Sequence, residues 1–130
     1  MKEIVFKPIG YVRTKESVIP RHWTISQVEG ELVINPEYQE GLRDLKPGDE
    51  IVVIFHFHQA PPFTSEHLIQ KPPHLGEEKG VFSTCSPIRP NPIGLSVLKV
   101  LEVRENVIRV KGLDMFDGTP ILDLKPHVKE

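Results

Sequence analysis

Hydrophobic and polar residues alternate along most of the chain, which is the pattern of strands with one buried face. The clearest run is "EIVVIFHFH" at residues 50–58, where one face is wholly apolar and the opposite face ends in His56 and His58. Similar runs occur at residues 3–13, 29–35, 93–104, 107–113 and 120–125, and a short one lies at 80–84. Together they predict about seven or eight strands.

One segment carries helical signals instead. In "NPEYQEGLRDL", residues 35–45, Asn35 is a suitable N-cap and Pro36 fits the first helical position, and the following "KPGD" ends the helix. Many short strands with one short helix are typical of a small antiparallel or mixed β-barrel, so we expect an all-β or mainly β fold. Residues 104–106 predict a hairpin turn, and residues 59–79 predict a loop long enough to be functional or mobile.

Composition narrows the possible functions. With 130 residues and a mass of 14.8 kDa, the chain is expected to form a single domain, residues 1–130. A single cysteine allows no internal disulfide and favours the cytoplasm, and no apolar run is long enough for a signal peptide or a membrane span. A net charge of −2 argues against coating nucleic acid by overall charge but leaves room for a local basic patch. The candidates for such a patch are Arg13, Lys71, Lys79 and Lys99.

Proline is the residue in excess, and it stiffens two polar segments. The chain has 13 prolines in 130 residues, about twice the usual share of roughly 5%. In "CSPIRPNPIGLS", residues 85–96, Arg89 and Asn91 flank Pro90, so their backbone has lost much of its freedom before any ligand arrives. A second stiff segment is "DMFDGTPILDLKP", residues 114–126. Two such segments favour a ligand site, with Arg89 and Asn91 as contacts, over plain crossovers between strands.

Other chemistry is less well supported by the residues. His56 and His58 share a strand face, but the nearest downstream acid, Glu66, lies beyond two prolines, and the chain has no Cys-x-x-Cys or His-Glu-x-x-His motif. We therefore predict no metal site. Cys85 has no evident basic partner, and a Gly-x-Ser-x-Gly elbow and a Gly-rich phosphate loop are both missing from the sequence. His58 and Gln59 remain ligand candidates, because barrels place ligands at strand ends.

Four sequence motifs together carry a family resemblance. The motifs that carry it are "GVFSTCSPIRPNPIGLS", "DGTPILDLKP", "VIPRHW" and "FHQ". Through them the chain resembles the TsaA-like (YaeB-like) family of TrmO tRNA methyltransferases, and the resemblance spans most of the chain. The resemblance implies a small β-barrel that forms a homodimer, binds S-adenosylmethionine near the subunit interface and methylates N6 of threonylcarbamoyl-adenosine beside the tRNA anticodon. The implied cofactor contacts are Pro20, Arg21, His22, His58, Gln59, Arg89, Asp117, Gly118, Thr119 and Pro120.

The implied chemistry assigns expected roles to some of these residues. Methyl transfer from a sulfonium is an in-line displacement that depends mainly on alignment, which stiff loops provide. Arg21 or Arg89 is expected to pair with the cofactor carboxylate, and backbone carbonyls together with Asp117 to face the sulfonium. A catalytic base is not identified by sequence, and His58 is the candidate. The loop residues Pro61, Pro62 and Phe63 are candidates for the dimer interface.

The chain departs from the family in two places. Cys85 stands where the family usually carries an arginine. The sequence ends about ten residues past "DGTP", so we expect no counterpart of the additional C-terminal domain of the bacterial enzymes. The sequence therefore leaves three functions open. They are a tRNA methyltransferase, a non-catalytic module that binds or senses S-adenosylmethionine, and a metal-dependent β-barrel enzyme.

Overall fold

A closed β-barrel forms the body of the molecule. The computed structural model describes residues 2–128, so the predicted domain ends at residues 1 and 130 lie outside the described residues. The strands are β1 (Gly10–Arg13), β2 (Glu29–Ile34), β3 (Glu50–His56), β4 (Ile69–Gln70), β5 (Lys79–Gly80), β6 (Ile93–Arg104), β7 (Val107–Lys111) and β8 (Pro120–Pro126). Six of these close the barrel in the order β1-β2-β7-β6-β3-β8, while β4 and β5 form a separate two-stranded sheet. The mainly β barrel class is confirmed, although fewer strands close the barrel than predicted.

Alternation along the strands fills the barrel interior. On β3, Ile51, Val53 and Phe55 are buried, whereas the residues between them are only partly covered. The side chains that are almost fully buried are Val12, Leu32, Ile34, Ile51, Val53, Leu98, Val100, Ile108, Val110, Leu113 and Ile121. Burying each such side chain contributes about 1.5–3 kcal/mol. The interior is therefore a packed core, and a ligand must bind at an end or on the outer wall.

The first strand is shorter than predicted. Only Gly10–Arg13 is paired, and the side chains of Ile4, Val5 and Phe6 are 79%, 80% and 70% exposed. The reason is the absence of a neighbouring strand: β2 ends at Ile34, and β1 pairs with β8 only at Gly10 and Tyr11. Ile9 still makes backbone hydrogen bonds to Ile121 and Asn35, at 2.7 Å and 2.8 Å, whereas residues 3–8 lie in no strand.

Two further local predictions are corrected. The predicted helix is present as a 3-10 helix at Pro36–Leu42, but Asn35 makes no side-chain cap; its Nδ2 instead donates to the Pro8 carbonyl at 3.3 Å. The predicted strand at 80–84 is a 3-10 helix at Val81–Ser83 that follows the two-residue β5.

The hairpin turn is confirmed, with Glu105 in the left-handed region at φ 53°. Residues 59–79 are mostly loop, as predicted, with a 3-10 helix at Ser65–Leu68 and the short β4. Among residues 2–128, no helix has the length and apolarity needed to cross a membrane.

Gly94 lets an aromatic pair close one end of the barrel. Phe55 and Phe57 pack edge to face with ring centroids 4.9 Å apart. A Cβ at Gly94 would overlap the Phe55 ring and lie 2.7 Å from the ring of Phe57. Glycine is therefore required here for space rather than for backbone freedom.

We expect Gly94→Ala to destabilise the fold by about 1–3 kcal/mol, because the added methyl group must displace packed rings. The free energy of unfolding in urea measures this effect. Gly41→Ala is the matched control, since a Cβ there meets no atom within 4 Å. Equal stability of the two variants would contradict this account of Gly94.

Candidate functional site

Strand pairing brings the predicted site segments to one end of the barrel. His56, the last residue of β3, pairs with Ile93 at the start of β6. Phe55 pairs with Ile121 at the start of β8, and Tyr11 of β1 pairs with Pro120. The segment after β3 therefore lies beside the segments that precede β6 and β8. We call this end the site end; it comprises residues 57–59, 85–92 and 117–120. We add residues 20–22, because His22 and the adjoining Trp23 interact with Asp114, which lies ahead of the last of these segments.

The "DGTP" turn is held to β1 by backbone and side-chain hydrogen bonds. Asp117 Oδ1 accepts from the backbone N–H of Thr14 at 2.9 Å, and the N–H of Gly118 donates to the Val12 carbonyl at 2.8 Å. Gly118 has φ +84°, a conformation that side chains other than glycine rarely adopt. Thr119 is buried, and its Oγ1 donates to the Phe116 carbonyl at 2.6 Å. Asp117 is exposed, and its Oδ2 makes no hydrogen bond among the described residues.

His58 lies against this turn. A Cβ built on Gly118 would be 4.0 Å from His58 Nε2, so the imidazole approaches the glycine where it has no side chain. Gln59 Nε2 is 3.5 Å from the same nitrogen, and both side chains are exposed. The N–H of Phe57 donates to the Pro92 carbonyl at 2.8 Å, which joins the strand end to the proline-rich loop. Among residues 2–128, His, Cys, Asp and Glu form no group of three able to hold a metal ion.

The proline-rich loop is braced by its own arginine. Arg89 Nη1 donates to the carbonyls of Thr84 and Ser86, at 3.0 Å and 3.1 Å. The neighbouring Ile88 carbonyl accepts from Gln70 Nε2 at 2.8 Å. The loop is therefore stiff for two reasons, its prolines and this brace. Nε and Nη2 of Arg89 make no hydrogen bond within the described range and remain for a ligand.

Two other positions in this loop face solvent. The Asn91 side chain is exposed, and its backbone carbonyl accepts from the N–H of Ile93 at 2.7 Å. Cys85 is also exposed, between the two residues whose carbonyls receive Arg89. An arginine at position 85 would therefore have room, so its absence is a chemical difference rather than a packing requirement.

The fourth segment contains Pro20, Arg21 and His22. Pro20 is half-buried, and the exposed Arg21 makes no hydrogen bond or ion pair with any described residue. His22 caps the 3-10 helix Trp23–Ile25, since its Nδ1 accepts from the Thr24 N–H at 3.3 Å. Its ring also packs against Trp23, with the centroids 5.3 Å apart. Arg21 is thus a free cation beside a fixed imidazole.

Sequence reasoning missed one acid that links these segments. The carboxylate of Asp114 accepts from Ser96 Oγ at 2.6 Å, and the backbone N–H of Trp23 lies close enough to favour its ionised form. Burial raises the pKa of Asp114, and the hydrogen bond from Ser96 partly offsets that rise. The sequence feature that could have indicated Asp114 is that it is the one acid in the apolar run "GLDMF", in which Leu113 and Met115 are buried.

Two cavities lie away from the site end. One, of about 470 Å³, is a largely apolar groove that includes Tyr38, Leu42 and Leu45. The other, of about 400 Å³, lies among charged groups on the outer wall, including Arg13 and Glu31. Neither of these two cavities is lined by residues of the site end.

The predicted basic patch is partly neutralised. Arg13 Nε lies 2.8 Å from Glu31 Oε1, and Lys79 Nζ lies 3.1 Å from Glu77 Oε1. No ion pair of Lys71 or Lys99 is found in residues 2–128. Only these two lysines remain as free candidates for phosphate contacts.

The raised pKa of Asp114 predicts a pH-dependent cost in stability. The folded protein holds this proton more tightly than the unfolded chain, so the group favours folding below its ordinary pKa of 3.8. That contribution is lost as the pH rises through the folded-state pKa. Asparagine does not ionise, so we expect Asp114→Asn to gain stability relative to wild type as the pH rises from about 4 to about 7.

Urea unfolding across this pH range measures the difference. Repeating the pair in a His22→Gln background removes the titratable side chain that interacts with Asp114. If the difference in unfolding free energy between the proteins with and without Asp114→Asn is constant with pH in both backgrounds, burial does not destabilise the ionised carboxylate.

The comparisons with known proteins agree with this geometry. The family described as tRNA-methyltransferase O N-terminal domain matches residues 11–130. A solved structure of TrmO from Pseudomonas aeruginosa superposes with a TM-score of 0.77 at 32% identity, and the match covers 98% of this chain and 56% of that one. The likeness thus extends over nearly all of this chain but little more than half of the solved one.

Curated relatives fall into two groups by name. An S-adenosyl-L-methionine-binding protein of Archaeoglobus fulgidus is 38% identical over 130 residues, which covers 98% of this chain and 91% of the relative. The tRNA (adenine(37)-N6)-methyltransferase of Homo sapiens is 33% identical over 137 residues, with 98% of this chain but only 31% of the human protein covered. The resemblance predicted from the four motifs is confirmed, and the chain belongs to the tRNA-methyltransferase O N-terminal domain family.

Proposed function

We propose that this chain binds S-adenosylmethionine at the site end and transfers its methyl group to N6 of an adenosine in tRNA. The adenosine that we propose as the substrate is the modified nucleoside threonylcarbamoyl-adenosine. The observation that carries the proposal is the convergence of three segments, residues 57–59, 85–92 and 117–120, at one end of the barrel. The fourth segment, residues 20–22, is linked to this end through the contact of Trp23 and His22 with Asp114. Each segment contains residues that the family resemblance assigns to the cofactor. A cytoplasmic location belongs to the same proposal, because it is where a tRNA substrate is available.

The groups at the site end suit the charges of this cofactor. Its carboxylate requires a cation, which Arg21 offers without a competing partner and Arg89 offers through Nε and Nη2. Its ammonium and sulfonium require an acceptor, which Asp117 Oδ2 and nearby carbonyls provide. Gly118 leaves the backbone open to close approach beside His58. The donor and acceptor set therefore fits a zwitterion that carries one additional positive charge.

The chemistry asks for alignment more than for a reactive side chain. S-adenosylmethionine supplies an electrophilic methyl group. In the transfer, a bond forms between N6 and the methyl carbon while the bond between that carbon and sulfur breaks. The products are the methylated nucleoside, S-adenosylhomocysteine and one proton released from N6. The braced loop at Arg89 and the hydrogen-bonded turn at Asp117 hold their groups fixed before binding. His58 is exposed at the strand end and is our candidate to accept the N6 proton.

One observation favours a second function, namely binding without catalysis. The Archaeoglobus relative, which this chain nearly covers, is named only for binding S-adenosylmethionine. The chain also spans about a third of the human methyltransferase, so that protein contains much that is not matched here. A binding or sensing module is therefore the alternative that the experiments must separate from an enzyme. The described residues give no support to a metal-dependent reaction.

Calorimetric titration with S-adenosylmethionine tests the first half of the proposal. We expect Arg21→Ala to weaken binding by about 1.5–3 kcal/mol, the range for a hydrogen bond to a charged group. Its stability should not change, because the side chain is exposed and has no partner among the described residues. Arg43→Ala is the matched control, an exposed arginine in the turn after Leu42.

Mass spectrometry of tRNA nucleosides tests the second half. The purified protein is incubated with methyl-labelled S-adenosylmethionine and tRNA that either carries or lacks the threonylcarbamoyl group. Labelled product only on the modified tRNA supports the full proposal. Cofactor binding without any transfer supports the sensing module, and no binding by wild type refutes both.

We also propose that two copies of the chain form a homodimer that completes the site. Apolar side chains next to the site-end segments in the sequence are exposed: Phe82 is 78%, Leu95 is 55% and Phe116 is 49% exposed. Of the loop residues predicted for the interface, Pro61 and Pro62 are exposed, whereas Phe63 is half-buried beside His67. Covering these apolar surfaces with a second copy would also shield the cofactor from water.

We expect Leu95→Glu to convert the dimer to a monomer and to weaken S-adenosylmethionine binding, because a charge would be buried in the interface. Light scattering measures the mass, and Tyr38→Glu, an exposed aromatic in the 3-10 helix Pro36–Leu42, is the control. A wild-type mass of one chain at micromolar concentration, with the cofactor present, would rule out the shared site.

A further inference from the structure

Asp114 joins three parts of the chain beneath the site end. It lies in the connection between β7 and β8, three residues before Asp117. One bond reaches β6, where Ser96 is fully buried and its Oγ is 2.6 Å from Asp114 Oδ1. The carboxylate also lies close to the backbone N–H of Trp23, directly after Pro20, Arg21 and His22, and both Trp23 N–H and His22 favour its ionised form. A single carboxylate therefore ties the barrel wall to a segment of the candidate site.

The segment that it holds has few other attachments. From Ser17 to Arg21, no residue is hydrogen-bonded to another part of the chain within the described range, and Val18 is 81% exposed. The bonds made by Ile25 and Ser26 backbone N–H groups return to His22 and Trp23 and so stay inside the segment. Beyond it, Ser26 Oγ donates to the Leu113 carbonyl. The Trp23 side chain also packs against the core, so Asp114 and this packing are the two fixed points next to Arg21 and His22.

We propose that Asp114 is a positioning residue, whose carboxylate fixes residues 20–23 against β6 so that Arg21 and His22 are held ready for S-adenosylmethionine. This inference rests on the proposed function. Asp114 itself contacts Ser96 and Trp23, and acts on the cofactor through the segment it holds. It lies outside the set of contacts that the family resemblance implies.

The energetics support a role in the site rather than in folding. Burial raises the pKa of Asp114 despite the bond from Ser96, so ionised Asp114 is less favourable here than in water. A residue that served only the core would be replaced at lower cost by an apolar side chain. The carboxylate is nevertheless suited to its place, because it accepts the Ser96 O–H and lies near the Trp23 N–H and the His22 ring.

Trp23 makes the inference measurable, because it is the one tryptophan of the chain. Its fluorescence and its quenching by acrylamide report on residues 20–23 alone. We would compare Asp114→Ala, which removes both acceptors, with Asp114→Asn, whose Oδ1 can still accept from Ser96. Ser96→Ala removes one donor and keeps the carboxylate. Asp123→Ala on β8, where the carboxylate is paired with Lys125, is the matched control.

We expect Asp114→Ala to weaken S-adenosylmethionine binding about tenfold and to make Trp23 more accessible to acrylamide, since a loosened segment must be ordered on binding. Asp114→Asn should restore most of the affinity, and Ser96→Ala should fall between the two. Stability measured in urea should not follow this order, because asparagine relieves the burial cost. The control should match wild type in affinity and quenching.

Three outcomes would overturn the inference. The first is wild-type affinity in folded Asp114→Ala. The second is equal loss in the alanine and asparagine variants, which would assign the effect to charge. The third is unchanged Trp23 quenching throughout the series. If Asp114→Ala does not fold, Ser96→Ala decides in its place. If wild type binds no cofactor, the proposed function fails, whereas the quenching series still shows whether Asp114 holds the segment.

Discussion

The simultaneous pairing of β3 with β6 and β8 is the constraint on which the site depends. β3 ends where both antiparallel neighbours begin, so the residues after β3 must meet the residues before β6 and before β8. A slip of one residue in either pairing would move the buried face of β3 outward. Gly94 protects the register by admitting the Phe55 ring, which no other residue at that position could do without strain.

Strands with a buried face were the most predictable part of the fold. β6 spans the same residues that alternation indicated, and β3 differs only at its last two, because each strand has neighbours on both sides and a core beneath it. Residues 3–8 alternate equally well but lie outside β1. Alternation records which side chains can be buried together, whereas pairing depends on whether another strand is present. That second condition is a property of the whole barrel and is not encoded locally.

The candidate site was predictable as a set of segments but not as a set of bonds. Proline content and the family motifs identified the stiff loops, yet the brace from Arg89 to two carbonyls depends on how the loop curves. Asp114 gave almost no signal, since its partners Ser96 and Trp23 are distant in the sequence. Hydrogen bonds between distant residues are fixed by topology, and a single sequence without its fold does not reveal them.

The brace at Arg89 also limits how this loop can drift in evolution. One guanidinium nitrogen closes the loop on itself, and the opposite edge of the same planar group remains turned away from it. Lysine carries a single ammonium, so it would have to choose between closing the loop and presenting its charge outside. Replacing arginine by lysine has little effect at most surface positions, but at this position lysine would not replace both functions of Arg89. Lineages that lose the arginine must lose the shape of the loop together with its charge.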